Sequence, residues 1–178
     1  MNYKDFMNRV VFTVFLIFLC FSCKNEDPAE KEDLDFETVN GFVINAKGEK
    51  LLASEKGLIK LNQTTGKFET VESDVDEMPV NDLMLTGNAA KEELWLASEM
   101  GVVNFTTKQK LTTTNSGLKD NKVTRLDFDF ENRGIFANPK GLSILSNNKW
   151  FESAGQNDLY KSFEITDIAS AVNGFTYV

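Results

Sequence analysis

An all-β chain of four-stranded antiparallel meanders, repeating about every 42 residues, is what this sequence predicts, on three observations. The first is a motif written three times: "LLASEKGLIKL" from Leu51, "WLASEMGVVNF" from Trp95 and "IFANPKGLSIL" from Ile135, whose glycines, Gly57, Gly101 and Gly141, are spaced by 44 and 40 residues. The second is an apolar start upstream of each copy, at Val39, Val80, Val123 and Ile165, spaced by 41, 43 and 42. The third is that short apolar runs alternate with turn residues throughout. Two independent landmarks share one period, and that period is about the length of a four-stranded propeller blade.

Within a copy each element has a physical reason. The first strand is "VNGFVIN", "VNDLMLT", "VTRLDFDF" or "ITDIAS", led into the next by turns such as "AKGE" and "VNGF". The second strand ends in Ser-Glu-Lys-Gly, Ser-Glu-Met-Gly or Asn-Pro-Lys-Gly. Ser or Asn first, Pro second and Gly fourth are the preferences of a type I turn, and a Gly able to take positive φ closes the hairpin through a bulge. Gly57, Gly101 and Gly141 are therefore assigned as structural turn residues. A second hairpin follows, from "IKL" to "FETV", from "VNF" to "LTTT" and from "SIL" to "WFES", with a loop that varies while its flanking strands do not.

Residues 94–126, "LWLASEMGVVNFTTKQKLTTTNSGLKDNKVTRL", resemble the two-component regulator propeller repeat. The matching features are Trp95, the small pair Ala97-Ser98, the turn Gly101, the link Ser116-Gly117-Leu118 with Asn121, and the Val123-Thr124 start of the next blade. The other copies depart from it: Leu51 replaces the Trp in the first, Ile135-Phe136 in the third, and the "SGL" link occurs once. The resemblance implies a β-propeller over residues 36–178, with blades starting near 39, 80, 123 and 165.

The N-terminus reads as an address. Lys4 and Arg9 precede "VVFTVFLIFLCF", an uncharged run from Val10 to Phe21 that is the length of a signal-peptide core and short of the roughly 20 residues that span a bilayer. Ser22-Cys23 follows, which resembles the lipobox of a bacterial lipoprotein, although Cys20 and Phe21 stand where Leu and a small residue are usual. Residues 1–22 are thus assigned as a lipoprotein signal peptide, Cys23 as the lipid anchor, and 23–35, charged and with Pro28, as an acidic flexible tether. The stretch after Cys23 resembles the export signal of Bacteroidota-type lipoproteins, which implies the outer membrane and exposure on the cell surface. Membrane contact is then through the N-terminal lipid.

Charge and residue types exclude several chemistries. The formal net charge is −8, and the leader itself is net basic, so the rest is more acidic still. Nucleic-acid binding needs a basic footprint and is excluded as a partner class. The chain has no histidine, and both of its cysteines, Cys20 and Cys23, lie in or beside the leader. That removes thiolate zinc sites and Ser-His-Asp triads, and no metal, cofactor or catalytic residue is assigned. "LDFDFEN" sets Leu126, Phe128 and Phe130 against Asp127, Asp129 and Glu131, which reads as a strand with one packed and one wet face rather than a cation site. The acidic "ESDVDE", Glu72 to Glu77, lacks the spacing of a calcium loop. Trp95, Phe136 and Trp150 sit in strands and read as packing between blades. "NFT" at Asn104 has the form of a glycosylation acceptor but lies on a strand.

Two functional classes follow. One is a non-catalytic, sensor-like binding module displaying loops to a glycan, peptide or protein ligand, with binding residues unassigned. The alternative is a carbohydrate- or peptide-active hydrolase or lyase on a propeller, working through carboxylates, Tyr or Arg. The fourth copy starts at Ile165 and stops at Val178, before the glycine that the period puts near position 183. About three and a half blades are expected from this sequence, an incomplete propeller that reads as a fragment of a longer lipoprotein, the alternative being closure by self-association of several chains.

Overall fold

The computed structural model describes residues 37–71, 78–152, 164–171 and 176–178. The chain divides into two units, Met1–Glu32 and Asp33–Val178, and every described residue belongs to the second. The expected leader, Cys23, the tether, "ESDVDE" and the "VNGF" turn lie outside the described residues.

Every regular element among the described residues is a strand. The first sheet is β1 (Val39–Ile44), β2 (Lys50–Ser54), β3 (Gly57–Leu61) and β4 (Phe68–Thr70), in that spatial order. The second is β5 (Val80–Thr86), β6 (Glu93–Ser98), β7 (Gly101–Asn104) and β8 (Gln109–Leu111). The third is β9 (Arg125–Phe128), β10 (Gly134–Asn138), β11 (Gly141–Ser146) and β12 (Lys149–Glu152). A two-stranded sheet of β13 (Ala169–Ser170) and β14 (Thr176–Tyr177) follows. All pairings are antiparallel between consecutive strands, so each sheet is a meander. The chain is all-β, with three propeller-like blades and part of a fourth.

The blades repeat in detail. Gly41 in β1 and Asp82 in β5 follow the same register shift, after Val39 and after Val80. Ser54 pairs with Gly57, Ser98 with Gly101 and Asn138 with Gly141, closing the same hairpin three times. The three glycines have φ of 103°, 119° and 107°. In the first two turns the buried Ser hydroxyl donates to the glycine carbonyl, at 3.1 and 2.8 Å, and accepts an N–H from the residue two on. In the third, Asn138 Oδ1 accepts from Lys140 N and its amide donates to Ser143 Oγ. The third ladder begins at Arg125, two residues after the apolar start, because Val123 N–H bonds to Ser98 O and Thr124 N–H to Ala137 O.

The core lies between blades. Leu51, Ala53 and Leu58 of the first blade pack with Val80, Leu83, Leu94, Leu96 and Val103 of the second. The next interface gathers Trp95, Ala97, Val102 and Leu111 against Val123, Leu126 and Phe136. The last joins Ile135, Ala137 and Leu142 to Ile165 and Ile168. β1 lies against β5, β5 against β9 and β9 against β13, so the first strands of successive blades line one side of the arc.

"LDFDFEN" does not have a packed and a wet face. Asp127 and Asp129 are buried, whereas Phe130 is 59% exposed in the turn after β9. The alternation holds along the strand, but its second face is closed by the following blade: Asp127 accepts N–H groups from Phe128 and from Ser170. Asp129 accepts from Glu131 N, Arg133 N and the Arg133 guanidinium.

Candidate functional site

The first-strand order places one polar residue of each blade at a common position, immediately after the apolar start: Asn40, Asn81, Thr124 and Thr166. All four line a single open pocket of about 230 Å³. The two asparagines also bind the blades together, since Asn40 Nδ2 donates to Val80 O at 2.9 Å and Asn81 Nδ2 to Val123 O at 2.8 Å. With the amides so directed, their carbonyl oxygens remain for the pocket.

Charged groups complete the wall. Glu99, second residue of the "SEMG" turn, accepts from Asn81 Nδ2 at 3.3 Å and pairs with Lys122 at 3.3 Å. Arg125 donates from Nη1 to Thr124 O at 2.7 Å, which folds its guanidinium back along β9 into the pocket wall. Glu164 adds a second carboxylate, and buried Ile165 is the sole apolar lining residue. Two cations and two carboxylates balance, so the pocket suits a polar ligand of little net charge, bound by hydrogen bonds rather than by a strong field.

Beside the pocket residue Asn81 in the chain sits a half-buried carboxylate. Asp82, next to Asn81, accepts from Leu83 N and from Leu126 N, the latter 44 residues on. Burial pushes its pKa up, against the two N–H bonds and the nearby Arg125. At the other turn glutamate the sign is opposite. The Thr38 hydroxyl, with the N–H groups of Glu37 and Thr38, holds the Glu55 carboxyl down at about 2.

The sequence-assigned residues do not form this site. Gly57, Gly101 and Gly141 each stand on a separate hairpin and none lines the pocket; only their neighbour Glu99 does. Trp95, Phe128, Phe136 and Trp150 form one aromatic cluster with centroid spacings of 5.2 to 6.5 Å, at the junction of the second and third blades. The "SGL" link fits under it: a Cβ on Gly117 would stand 2.4 Å from Trp150. Asn104 is buried, with its amide donating to Glu93 and its carbonyl accepting from Thr107, which closes it to glycosylation. The sequence pattern marks the apolar starts as landmarks of period and does not by itself single out the pocket residues. The signal was the polar residue after each one: Val-Asn, Val-Asn, Val-Thr, Ile-Thr.

No family model matches the chain, and no curated protein matches it. Solved structures do. The extracellular domain of BT4673 from B. thetaiotaomicron, assigned to a hybrid two-component system, is similar over 80% of this chain at 14% identity, with a TM-score of 0.61. That of BT3049 from the same organism is similar over 76%, at 18% identity and a TM-score of 0.54. PorZ, a bacterial surface component of the type-IX secretion system of Porphyromonas gingivalis, is similar over 61%, at 17% identity and a TM-score of 0.50. The matches span 22%, 19% and 17% of those chains, about a fifth of each. At such identities the likeness is one of fold: this chain shares the blade architecture of extracellular and surface-exposed bacterial proteins.

Proposed function

We propose that the chain is a surface-displayed, non-catalytic binding module that takes a glycan, peptide or protein ligand, held to the outer membrane by lipid at Cys23. The observation that carries the binding reading is the pocket on which the polar residues after the four apolar starts, Asn40, Asn81, Thr124 and Thr166, converge. A repeated position that presents polar side chains to one cavity is the way a propeller assembles a site from separate blades. Neighbours that are extracellular domains assigned to two-component systems fit a sensor-like role, and the motif from Trp95 to Thr124 fits the two-component regulator propeller repeat.

The test is a glycan and peptide array probed with labelled full-length protein. Binding that is lost in Arg125→Ala and Thr166→Val, with the fold retained by circular dichroism, supports the reading; wild-type binding by both variants removes the pocket from it. Glu99 and Glu164 in one pocket are what favour the hydrolase alternative, and cleavage of the bound array component, abolished in Glu164→Gln, would replace the binding reading with it. For the anchor, Cys23→Ala should move the protein from the membrane pellet to the soluble fraction, and protease added to intact cells should remove the wild-type chain. Retention of Cys23→Ala in the pellet, or full protection from protease, overturns that part.

A further inference from the structure

The charges of the pocket are not all paired within its wall, and the two left over have opposite signs. Lys122 pairs with Glu99 at 3.3 Å, and Glu99 also accepts from Asn81 Nδ2, so these two neutralise each other. Arg125 donates from Nη1 to two backbone carbonyls, those of Thr124 at 2.7 Å and Asn81 at 3.5 Å, while Nε and Nη2 have no partner among the described residues. Asp82 lies within the field of that guanidinium, but its carboxylate is taken by the N–H groups of Leu83 and Leu126 and forms no ion pair with it. Glu164 lines the pocket, is exposed, and has no hydrogen bond or ion pair among the described residues.

An anchored guanidinium is a directional receptor. With Nη1 held by the backbone, the Nε and Nη2 hydrogens form the edge that meets a carboxylate in two parallel bonds. A simple carboxylate drawn there would bring its charge toward Glu164 and Glu99, and a simple amine drawn to Glu164 would meet Arg125 and Lys122. A molecule that carries both charges is disfavoured by neither. The rest of the lining is short and neutral, with the amide oxygens of Asn40 and Asn81 and the Thr166 hydroxyl around buried Ile165. No aromatic ring is among the lining residues, so a sugar has no flat apolar face to stack on. The volume of about 230 Å³ lies below the roughly 300–1,000 Å³ of sites for drug-sized molecules, which limits the occupant to a small one.

Resting on the binding reading of this pocket, we propose that its ligand is a zwitterion of dipeptide size, whose carboxylate is taken by the Nε and Nη2 edge of Arg125 and whose ammonium group is taken by Glu164. The amide oxygens of Asn40 and Asn81 accept the peptide N–H, the Thr166 hydroxyl serves the peptide carbonyl, and Ile165 meets a small apolar side chain.

The test is calorimetric titration of the full chain, in mild detergent, with alanyl-alanine and two analogues of nearly the same shape. Propionyl-alanine lacks the ammonium group, and alanyl-alaninamide lacks the carboxylate. Alanyl-alanine should bind about tenfold or more tightly than either, and the difference should shrink as salt is raised, because Glu164 is open to solvent. Glu164→Gln should abolish the preference over propionyl-alanine and keep the one over alanyl-alaninamide, and Arg125→Gln should do the reverse. Circular dichroism checks both folds, and Glu164→Gln removes no contact within the described residues. Equal binding of all three compounds, or preferences that neither substitution moves, overturns the zwitterion assignment and leaves the pocket a binding site. Alanyl-alanine left unbound while an array glycan binds, and is lost in Arg125→Ala, also overturns the assignment alone. If the wild type binds nothing in either assay, the assignment and the binding reading both fall.

Discussion

Gly101 and Gly66 both have positive φ, yet they are not equivalent. Gly66 lies at 71°, inside the left-handed region that Asn and a few other residues tolerate, and a Cβ there meets nothing within 4 Å. Gly101 lies at 119°, outside that region, and its Cβ would stand 2.1 Å from the Leu111 carbonyl oxygen of β8. Gly57, at 103°, shares the backbone constraint but would find its nearest atom, the Met78 carbonyl oxygen, at 3.5 Å. Substitution by Ala should therefore destabilise in the order Gly101, Gly57, Gly66. Backbone strain costs about 1–3 kcal/mol at the first two, with displacement of β8 added at Gly101. Urea midpoints of the three variants check the order, and Gly66→Ala falling as far as Gly101→Ala would mean that loop identity, not φ, sets the cost.

At the scale of the strand and its turns, the hairpins were legible because local chemistry specifies them. Ser54, Ser98 and Asn138 close their turns with their own side chains, which neighbouring letters suffice to predict. The β9 carboxylates were not legible. Alternation fixes which residues share a face, but whether that face is wet depends on a blade forty residues on, and here Ser170 arrives to cover Asp127. The pocket is legible only as a repeated polar letter after each apolar start; that Asn40 and Thr166 line one cavity depends on the arc. Asp129 shows what burial does to such a group. Desolvation is the largest single influence and raises its pKa, but the bonds from Arg133 N, the Arg133 guanidinium and Glu131 N together outweigh it, and the carboxyl ends below its usual range. A depressed acid contributes stability that is present above the unfolded value, about 3.9 for Asp, and is lost as pH falls through the folded one. Asp129→Asn should thus cost roughly 1–3 kcal/mol at pH 7, the range for leaving buried donors poorly paired. Its deficit should shrink as pH drops below about 4. Unfolding curves at pH 7 and pH 3 read both, and a deficit independent of pH would assign the loss to packing instead of charge.

The whole arc is a series of nearest-neighbour interfaces, and they differ in chemistry. The buried residues of the first-to-second blade junction are all aliphatic, with Phe105 packed against their margin, whereas the second-to-third gathers Trp95, Phe128, Phe136 and Trp150. Phe136 is fully buried and its ring stands within 6.5 Å, centroid to centroid, of the other three. In a linear array, stability is a sum of unit and interface terms, so weakening one junction need not unfold the blades on its far side. Phe136→Ala removes the central ring and should cost about 3–5 kcal/mol at that junction. Both tryptophans of the chain belong to this cluster, which makes intrinsic fluorescence a reporter of the junction, while far-UV circular dichroism reports all the sheets. The wild type should give coincident transitions by the two signals. In Phe136→Ala the fluorescence change should come at lower denaturant than the circular dichroism change, with amide protection lost across β9 to β12 before β1 to β4. Coincident transitions in the variant would mean that the blades unfold as one unit and that the aliphatic junction does not hold the first two together without the third.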